Sequence, residues 1–468
     1  MSTFVVVGGD AAGMSAASKA KRDDPDLDVV VFERGQWVSY GACGLPYYVK
    51  GEIQSLEDLV SVTPEEFREE RDIDLRIGHD VTEIDPDGRT VTAQGDDGEV
   101  EQEYDHLLVA TGAEAVTPPI EGLDREGVYT LGSMSDGKDL REYVARARDE
   151  GNLQQPDRGL ACQFLETCTG PVGIVGGGYI GIEMAEALAA NGFEVHLFQR
   201  GDRVLTQFSR ATSEAVLDHL ETQDVAVYLD SEVRELAGDG SVEAVVTPDD
   251  RVPVEMVLVG TGVRPRTALA EAAGIELGET GAIATDAYRE TTVQDVYAAG
   301  DCAEAEHVVT GAPAYVPLAL TANRHGRAVG QTVTGSPTEG GGVAGTAAVK
   351  AFDVEAARTG VLPEEARRAG FDPLTDTIEA KSRAGYYPEG GTVQVTLTVD
   401  RPTGRVLGGS LVSEYGEGAV HRSHALVGAV TEGVTVDELA NYDLAYAPPF
   451  NTTWDPVLTA AKVVDGQR

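Results

Sequence analysis

One cysteine of this chain, Cys43, stands in a segment whose residue types are suited to redox chemistry. The segment reads Ser-Tyr-Gly-Ala-Cys-Gly-Leu-Pro-Tyr-Tyr from Ser39 to Tyr48 and follows a nucleotide-binding pattern. The 468 residues include four cysteines, and the other three, Cys162, Cys168 and Cys302, lie far from Cys43 in sequence. No second cysteine is therefore placed to form a disulfide with it on one helix. If Cys43 is a redox residue, its oxidised partner must be a small molecule or an oxygen adduct such as a sulfenic acid.

The element in front of Cys43 has the pattern of a dinucleotide-binding unit. We predict a strand over Phe4–Val7, a turn with the sequence Gly-Gly-Asp-Ala-Ala-Gly, and a helix over Met14–Arg22. The next predicted strand, Val29–Phe32, leads into Glu33, whose carboxylate would accept ribose hydroxyls while the amides of the turn hold a pyrophosphate. Asp10 stands where such turns usually have their second glycine, and we expect its side chain to point away from the phosphate. The residues predicted to bind this nucleotide are Gly8, Gly9, Ala12, Gly13, Glu33 and Arg34.

A second copy of the pattern follows later in the chain. It consists of a predicted strand over Val172–Val175, the turn Gly-Gly-Gly-Tyr-Ile-Gly, a helix over Ile182–Asn191 and a strand over Glu194–Phe198. One glycine-rich turn is weak evidence, whereas two complete copies predict two dinucleotide sites. The second copy has no acid after its last strand, and arginines follow there, so a ribose 2′-phosphate is acceptable and NADPH is favoured over NADH. The residues predicted to bind it are Gly176, Gly178, Tyr179, Ile180, Gly181, Gln199, Arg200 and Arg203.

Further segments connect the two copies into one fold. Leu107–Gly112 and Val257–Gly262 are predicted strands that run into Thr-Gly turns, which is typical of the returns between a flavin domain and a nicotinamide domain. The predicted strand at Val296 ends in Gly-Asp, and an aspartate there can bind a ribityl hydroxyl. A helix predicted over Leu318–Gly330 would direct its positive end to the flavin N1–O2 edge. The residues of these segments predicted to bind cofactor are Thr111, Gly112, Gly262, Gly300, Asp301, Leu318 and Ala319.

The last part of the chain has a different pattern. It alternates as strands do over Thr392–Val399 and Val406–Val412, with helices predicted over His424–Glu432 and Val436–Ala440. The predicted fold class is α/β, with two Rossmann-like nucleotide-binding domains, for FAD and NAD(P), and a C-terminal α+β dimerisation domain. The predicted domains are residues 1–112 and 256–335 for FAD, 113–255 for NAD(P) with an insertion at about 152–170, and 336–468 for dimerisation.

The charge composition limits the partners. Asp and Glu total 79 against 36 basic residues, a net charge of −43, which would repel nucleic acid and anionic membranes. The acids are spread along the chain and lysine is scarce, which resembles proteins adapted to molar salt, where the Debye length is about 3 Å. We therefore expect a halophilic source. No leader and no apolar stretch of about 20 residues is present, so we expect a cytoplasmic protein. No metal site is predicted, and Cys162 and Cys168 are interpreted as incidental thiols of the insertion.

The two glycine turns, Ala-Thr-Gly at 110–112, Ala-Gly-Asp at 299–301 and the Cys43 segment together resemble the pyridine nucleotide-disulfide oxidoreductases. Within that family the chain is similar to the single-cysteine branch, which contains the coenzyme A-disulfide reductases and their NADH oxidase and sulfur reductase relatives. The run Tyr442–Phe450 with Trp454-Asp455-Pro456 also matches this branch. The resemblance implies FAD and NADP as cofactors, with NAD as the alternative, and a homodimer. It implies that the flavin reduces a mixed disulfide between Cys43 and coenzyme A, and that the freed thiolate attacks the next disulfide. The helix after Cys43 and the electrophilic C4a edge of the flavin would favour this thiolate.

The resemblance also assigns roles to residues around Cys43. Peroxidases and water-forming oxidases of this branch carry a histidine in the first turn, where this chain has Ala11, whereas coenzyme A-disulfide reductases supply tyrosines from the partner subunit. Tyr446, Tyr387 and Tyr386 are the candidates for that catalytic role beside Cys43. The positions predicted to contact the substrate are Ser15, Lys19, Arg22, Ser39, Ala42, Arg71 and Asn323.

Three functions remain open from the sequence. The first is reduction of coenzyme A disulfide or a related small disulfide or polysulfide by NAD(P)H. The second is an NADH oxidase that reduces oxygen through a sulfenic acid on Cys43. The third is a flavoprotein whose redox-dependent surface acts as a binding or regulatory module, which steady turnover of NAD(P)H with any acceptor would eliminate.

Overall fold

The structure, a computed structural model, describes residues 2–151 and 170–468, so Cys162 and Cys168 lie outside the described residues. Its first sheet has five parallel strands in the order β18-β7-β1-β2-β3. These strands are β1 (Thr3–Val7), β2 (Asp28–Glu33), β3 (Asp74–Ile77), β7 (His106–Val109) and β18 (Val296–Ala298). Val5 pairs with Val30 on one side and with Leu107 on the other. The strands are almost continuously apolar because both faces of the sheet are covered.

Two helices cover one face of the first sheet, and a small antiparallel sheet with a short helix packs on the other. The two helices are α1 (Ala11–Asp23) and α8 (Ala319–Val333), and they pack tightly on each other, since a Cβ on Gly326 would lie 2.0 Å from the carbonyl oxygen of Ala12. The elements on the other face are β4 (Asp80–Asp85), β5 (Thr90–Gly95), β6 (Gly98–Glu103) and α7 (Ala268–Ala272). The short helices α2 (Leu45–Lys50) and α3 (Pro64–Glu69) follow the segment that contains Cys43.

The second sheet repeats the first architecture. Its parallel strands, in the order β12-β11-β10-β16-β9, are β9 (Val128–Tyr129), β10 (Pro171–Val175), β11 (Glu194–Phe198), β12 (Ala226–Tyr228) and β16 (Met256–Val259). The helices of this unit are α4 (Met134–Gly151), α5 (Tyr179–Ala190) and α6 (Arg210–Thr222). A three-stranded sheet packs beside it, formed by β13 (Glu235–Ala237), β14 (Ala244–Val246) and β15 (Arg251–Pro253). The strand pair β8 (Ala113–Ala115) and β17 (Val263–Pro265) connects this unit to the first.

The third sheet is antiparallel, in the order β21-β22-β25-β24-β23. Its strands are β21 (Ala347–Ala351), β22 (Val354–Gly360), β23 (Pro373–Lys381), β24 (Thr392–Asp400) and β25 (Val406–Glu414), and β19 (Ala305–Glu306) with β20 (Pro313–Ala314) precede them as a separate pair. Val393, Val395 and Leu397 face a core made with α10 and α12. The helices of this unit are α9 (Pro363–Arg368), α10 (Ala419–Glu432), α11 (Val436–Leu439) and α12 (Pro456–Asp465). The alternate residues of β24, such as Thr396, face α6 of the second unit instead.

The predicted fold class is confirmed, but the bounds of several elements were wrong. At the two glycine turns, α1 begins at Ala11 rather than Met14, and α5 begins at Tyr179 rather than Ile182. Gly13 and Gly181, which were assigned to the turns, lie inside the helices. Their missing Cβ allows each helix to approach the preceding strand closely, so glycine indicates packing here and not a break. No helix of the described chain is long and apolar enough to cross a membrane.

Candidate active site

Cys43 lies in a single 3₁₀ turn, Ala42–Gly44, directly before α2 (Leu45–Lys50). Ser39 begins the segment, and its N–H donates to the carbonyl oxygen of Gly9 at 3.1 Å. Ser39 has a φ of 50°, which a residue other than glycine keeps only where its surroundings fix it. Cys43 and Ala42 are exposed. The first glycine turn therefore holds the segment, and the segment presents the thiol to an incoming ligand.

The protein around Cys43 disfavours the thiolate. Partial burial of the sulfur raises the pKa of the thiol, and the carboxylates of Glu183, Asp301 and Asp10 raise it further. The expectation that the following helix favours the thiolate is therefore not met by the groups of the chain itself. The reason is that α2 has only six residues, and its dipole acts against burial and three negative groups.

Two glutamates of α5 face α2 from one turn apart. Glu183 accepts a hydrogen bond from Tyr47 Oη at 3.1 Å but pairs with no lysine or arginine among the described residues, and burial raises its pKa to about 7. Glu186 contacts Lys50 Nζ at 2.7 Å and Lys350 Nζ at 2.5 Å. Burial alone would raise the pKa of Glu186, but the hydrogen bonds from Lys350 and Lys50 lower it. The Tyr47–Glu183 hydrogen bond and the contacts of Glu186 with Lys50 and Lys350 join α2, α5 of the second unit and the third sheet.

The first glycine turn has the geometry of a pyrophosphate cradle. A Cβ on Gly8, at a φ of 113°, would lie 2.2 Å from the carbonyl oxygen of Ala110, and one on Gly13 would lie 1.9 Å from that of Gly8. Glu33, at the end of β2, accepts the N–H of Gly9 at 2.7 Å. Its carboxylate keeps free lone pairs for ribose hydroxyls. Of the other residues predicted here, Ala12 is buried and Arg34 is exposed.

The carboxylate of Asp10 points towards the redox segment. It accepts the N–H of Tyr40 at 3.2 Å, as expected for a side chain directed away from a phosphate on the turn. Burial raises its pKa to about 6, the Tyr40 N–H acts in the opposite direction, and Glu33 and Asp301 add to the rise.

Two polar groups, Asp301 after β18 and Tyr315 after β20, are left without partners among the described residues. No hydrogen bond or ion pair joins the carboxylate of Asp301 to another described residue, and burial raises its pKa to about 6. Tyr315 Oη is buried and has no hydrogen-bond partner, and burial followed by the charge of Asp301 raises its pKa. Such groups fit a ligand that brings hydroxyls and polar ring edges, as FAD does. Near them are Gly300, at a φ of 82°, the N-terminus of α8 with its cap Leu318 and first residue Ala319, and the turn of Thr111 and Gly112.

The second glycine turn repeats the first. A Cβ on Gly176 would lie 2.3 Å from the carbonyl oxygen of Gly260, and one on Gly181 would lie 1.9 Å from that of Gly176. A Cβ on Gly178 would meet nothing within 4 Å, which leaves space for a pyrophosphate. Gln199 Oε1 accepts the N–H of Gly177 at 3.0 Å and so occupies the place that Glu33 has in the first unit. This turn fits a nicotinamide dinucleotide.

The remaining residues predicted for this nucleotide differ in exposure. The ring of Tyr179 packs edge-on to that of Phe208 at 5.8 Å, and Ile180 beside it is half-buried. Arg200 is exposed, whereas Arg203 is half-buried and turns towards the third sheet. Gly262, at a φ of 109°, is exposed at the return from β16.

The predicted substrate residues form three contacts on α1. Ser15 Oγ donates to Asn323 Oδ1 of α8 at 2.5 Å, and Lys19 Nζ pairs with Asp23 at 2.5 Å. Arg71 donates from Nη1 to Ser18 Oγ at 2.9 Å, and Arg22 is exposed. The structure therefore places Ser15 and Asn323 together and Arg71 beside α1.

The predicted catalytic tyrosines lie on an exposed aromatic surface of the third unit. Tyr386 Oη and Tyr446 Oη are 3.1 Å apart, and their exposed fractions are 76% and 47%. Tyr387 is 39% exposed, and Phe450 and Trp454 are exposed on neighbouring loops. None of the contacts described for these tyrosines reaches Cys43 of the same chain.

Sequence reasoning missed Tyr47, Glu183, Lys50 and Glu186 as parts of the site. A signal existed, because the spacing of three between Tyr47 and Lys50 matches the spacing between the two glutamates. Tyr315 was missed because a lone tyrosine in a loop has no local pattern. Among the described residues, no group of three or more His, Cys, Asp or Glu side chains is placed to hold a metal ion.

Two family models match this chain. One, described as pyridine nucleotide-disulphide oxidoreductase, covers residues 2–326, and the other, described as the dimerisation domain of that family, covers residues 346–456. The chain belongs to this family. It is an NAD(P)H-dependent flavin disulfide oxidoreductase of the group that contains coenzyme A-disulfide reductases and persulfide reductases.

Three members of the family are similar over the whole chain. The NAD(P)H sulfur oxidoreductase (CoA-dependent) of Pyrococcus abyssi is 39% identical over 463 residues, which cover 99% of this chain and 98% of that protein. An NADH oxidase of Methanocaldococcus jannaschii is 31% identical and covers 98% of this chain and 97% of that protein. The solved structure of an NAD-dependent persulfide reductase from A. fulgidus has a TM-score of 0.92 and 35% identity, and covers 100% of this chain and 83% of that one. The expectation of a halophilic source gains no support from these comparisons and rests on composition alone.

Proposed function

We propose that this protein uses NAD(P)H to reduce a sulfur–sulfur bond attached to coenzyme A, as a persulfide, polysulfide or disulfide, with Cys43 as its single redox cysteine. The observation that carries the proposal is the isolation of Cys43. The other described cysteine, Cys302, is buried and donates its S–H to the carbonyl oxygen of Val109 at 3.4 Å. Within residues 2–151 and 170–468 no second sulfur is placed to pair with Cys43, which supports a ligand as its source, and relatives of matching length are named for coenzyme A-dependent sulfur reduction.

The Cys43 thiolate attacks the sulfur atom that belongs to coenzyme A itself, and the sulfur–sulfur bond of the substrate breaks. A Cys43–coenzyme A disulfide forms, and the other sulfur leaves as a thiolate or, from a persulfide, as hydrosulfide. The first glycine turn, Glu33 and Asp301 would hold FAD, which would supply the redox chemistry that passes two electrons from NAD(P)H to this mixed disulfide. Its cleavage returns the Cys43 thiolate and releases coenzyme A thiolate, which takes up a proton. A thiolate of raised pKa is the stronger nucleophile, while the raised pKa of Cys43 lowers the fraction of the thiol that is ionised.

We infer that NADPH is preferred over NADH. Gln199 takes the position of Glu33 but carries no charge, and its amide nitrogen can donate to a phosphate. Arg200 is exposed directly after it. Replacing Arg200 and Arg203 by alanine should raise the KM for NADPH much more than that for NADH. A wild-type protein that uses NADH better than NADPH would contradict this inference.

We propose further that the active protein is a homodimer with composite sites. The support is the exposed Tyr386–Tyr446 pair on a unit that matches the family's dimerisation domain. Leu320 at the start of α8 is also 71% exposed beside the predicted flavin site. A partner subunit would cover these apolar groups and bring its tyrosines to Cys43. Co-expression of a Cys43→Ser chain with a Tyr386→Phe, Tyr446→Phe chain should give a heterodimer with one intact site. A heterodimer no more active than its parents would refute the arrangement in trans.

The substrate class is tested by anaerobic NADPH consumption. Coenzyme A disulfide, polysulfide with coenzyme A, polysulfide alone, cystine and glutathione disulfide are compared at equal concentration. We expect turnover with the acceptors that include coenzyme A and little with the others. Equal rates with cystine would contradict the role of coenzyme A.

The second candidate is an NADH oxidase, favoured by the similarity to the oxidase of Methanocaldococcus jannaschii. Ala11 stands where the peroxidases and oxidases of the branch carry a histidine, which speaks against it. Oxygen consumption faster than the anaerobic reactions, and its loss in Cys43→Ser, would favour this candidate instead.

A further inference from the structure

A cavity of about 360 Å³ lies between the second unit and the third sheet, and none of its lining residues belongs to either glycine turn. One wall is the segment that leads from Arg203 into α6. The other wall is the polar face of the third sheet, where hydroxyls such as those of Thr359, Thr396 and Ser410 line the space. Because side chains alternate along a strand, this face is separate from the apolar face that packs on α10 and α12.

Three arginines line the cavity, and one of them has a buried donor without an acceptor. Arg358 donates to the carbonyl oxygen of Gly360 and forms an ion pair with no described carboxylate, although the charge of Glu365 acts on it. Burial lowers the pKa of its guanidinium. Arg203 Nε is buried without a hydrogen-bond partner, although Nη2 donates to the carbonyl oxygen of Thr206 at 3.2 Å and Nη1 lies 3.6 Å from Asp202 Oδ1. The third, Arg210, pairs with Asp202 at 2.6 Å.

This arrangement is unusual for the composition of the chain. With 79 acidic and 36 basic residues, each arginine has many potential carboxylate partners, yet Arg358 has none in the described structure. The carboxylates on the wall, Glu214 and Glu364, are exposed and pair with neither Arg203 nor Arg358. A buried guanidinium needs a counter-charge, and if the chain does not supply it a ligand can.

We propose that this cavity is a binding site for an oxyanion of the phosphate class, held by the guanidinium groups of Arg358 and Arg203 and by hydroxyls of the third sheet. The forked donors of arginine match two phosphate oxygens at once, and threonine and serine hydroxyls donate to the others. The oxyanion is either free phosphate or a phosphoryl group of a bound nucleotide. Phe208 lines the cavity and packs on Tyr179 at 5.8 Å, so the bound oxyanion would lie one side chain away from the second glycine turn.

The test is calorimetric titration of the FAD-loaded protein with potassium phosphate at constant ionic strength. We expect saturable binding of one phosphate per chain. Arg358→Gln and Arg203→Gln should each weaken it at least tenfold, and circular dichroism of each variant checks that it is folded. Arg234→Gln is the matched control, because this arginine of the same unit is 65% exposed and does not line the cavity. Glu364→Gln should tighten binding, since it removes a negative charge from the rim.

Two competition measurements, with NADPH and with NADH, identify the source of the oxyanion. If saturation with NADPH, but not with NADH, abolishes phosphate binding, the ligand is the 2′-phosphate of the nucleotide. If neither nucleotide competes, the site takes a free oxyanion. An absence of saturable phosphate binding to the wild type, or unchanged affinity in Arg203→Gln, would overturn the proposal.

Discussion

Replacement of Glu183 by glutamine should stabilise this protein at alkaline pH. Glu183 is a largely buried carboxyl with one hydrogen bond, from Tyr47, and with no basic partner among the described residues. Moving the pKa of a carboxyl from its ordinary 4.5 to about 7 costs the ionised form about 3 kcal/mol, at about 1.4 kcal/mol per pH unit. Because the folded-state pKa is raised, the stabilisation is complete below the unfolded pKa and is lost as pH rises through 7. Glutamine imitates the protonated form and keeps an acceptor for Tyr47.

The assay is urea unfolding followed by circular dichroism between pH 5 and pH 9. We expect the unfolding midpoints of Glu183→Gln and wild type to differ little near pH 5 and to diverge up to pH 8, by the equivalent of up to about 3 kcal/mol in favour of the variant. The matched control is Glu186→Gln, one turn later on α5. It should destabilise the protein at pH 8, because Lys50 and Lys350 then lose their shared carboxylate.

A second measurement on the Glu183→Gln variant concerns the thiol of Cys43. Glu183 is the first of the charged groups that raise the pKa of Cys43, so its neutralisation should lower that pKa and increase the alkylation rate of Cys43 by iodoacetamide at neutral pH. The reasoning fails if Glu183→Gln retains the pH slope of the wild type in unfolding, or if both glutamate variants change stability in the same direction.

Three other outcomes are expected. Cys43→Ser should retain FAD and the fold, but its rate of disulfide reduction should fall at least about 100-fold, because a hydroxyl cannot form the mixed disulfide. An unchanged rate of disulfide reduction in single-turnover kinetics would exclude the mechanism. Gly181→Ala should destabilise the second unit by about 1–3 kcal/mol, measured by urea unfolding, because its Cβ would lie 1.9 Å from the carbonyl oxygen of Gly176. Gly178→Ala should leave stability nearly unchanged, since its Cβ meets nothing within 4 Å, but it should weaken NADPH binding in a fluorescence titration. Equal effects of the two alanine substitutions on stability would contradict this account of the turn.

The fold could be predicted from the sequence where a feature is local. The two glycine turns and their flanking strands predicted both parallel sheets. This was possible because a position where two backbone segments approach closely requires a glycine, and the glycine is visible in the sequence. Prediction of the helix starts failed at Ala11 and Tyr179, because a glycine inside a first helical turn has the same appearance as a glycine in a loop. The small sheets β4–β6 and β13–β15 were not predicted, because their short strands have weak alternation.

The site was less predictable, because its electrostatics depend on residues that are distant in sequence. Cys43 and Glu33 stood out through their local patterns, but Tyr47 meets Glu183 only when α2 packs on α5. The local sequence showed a helix after Cys43 but could not show the carboxylates around it, which act against the thiolate, so the thiolate stays a prediction that also depends on the flavin.

The carboxyl groups around Cys43 explain why an acidic residue, Asp10, is acceptable in the first glycine turn. Asp10 and Asp301 have pKa values raised to about 6 and Glu183 to about 7, in each case chiefly by burial. Ionisation of these buried groups near the thiol therefore destabilises the folded protein as the pH rises through neutrality. A negative surrounding disfavours a resting thiolate and lowers the fraction of the thiol that is ionised. It also promotes departure of an anionic thiolate or hydrosulfide from the site. The same charge that makes Cys43 a weak acid thus suits a cycle in which negatively charged sulfur must be released at every turnover.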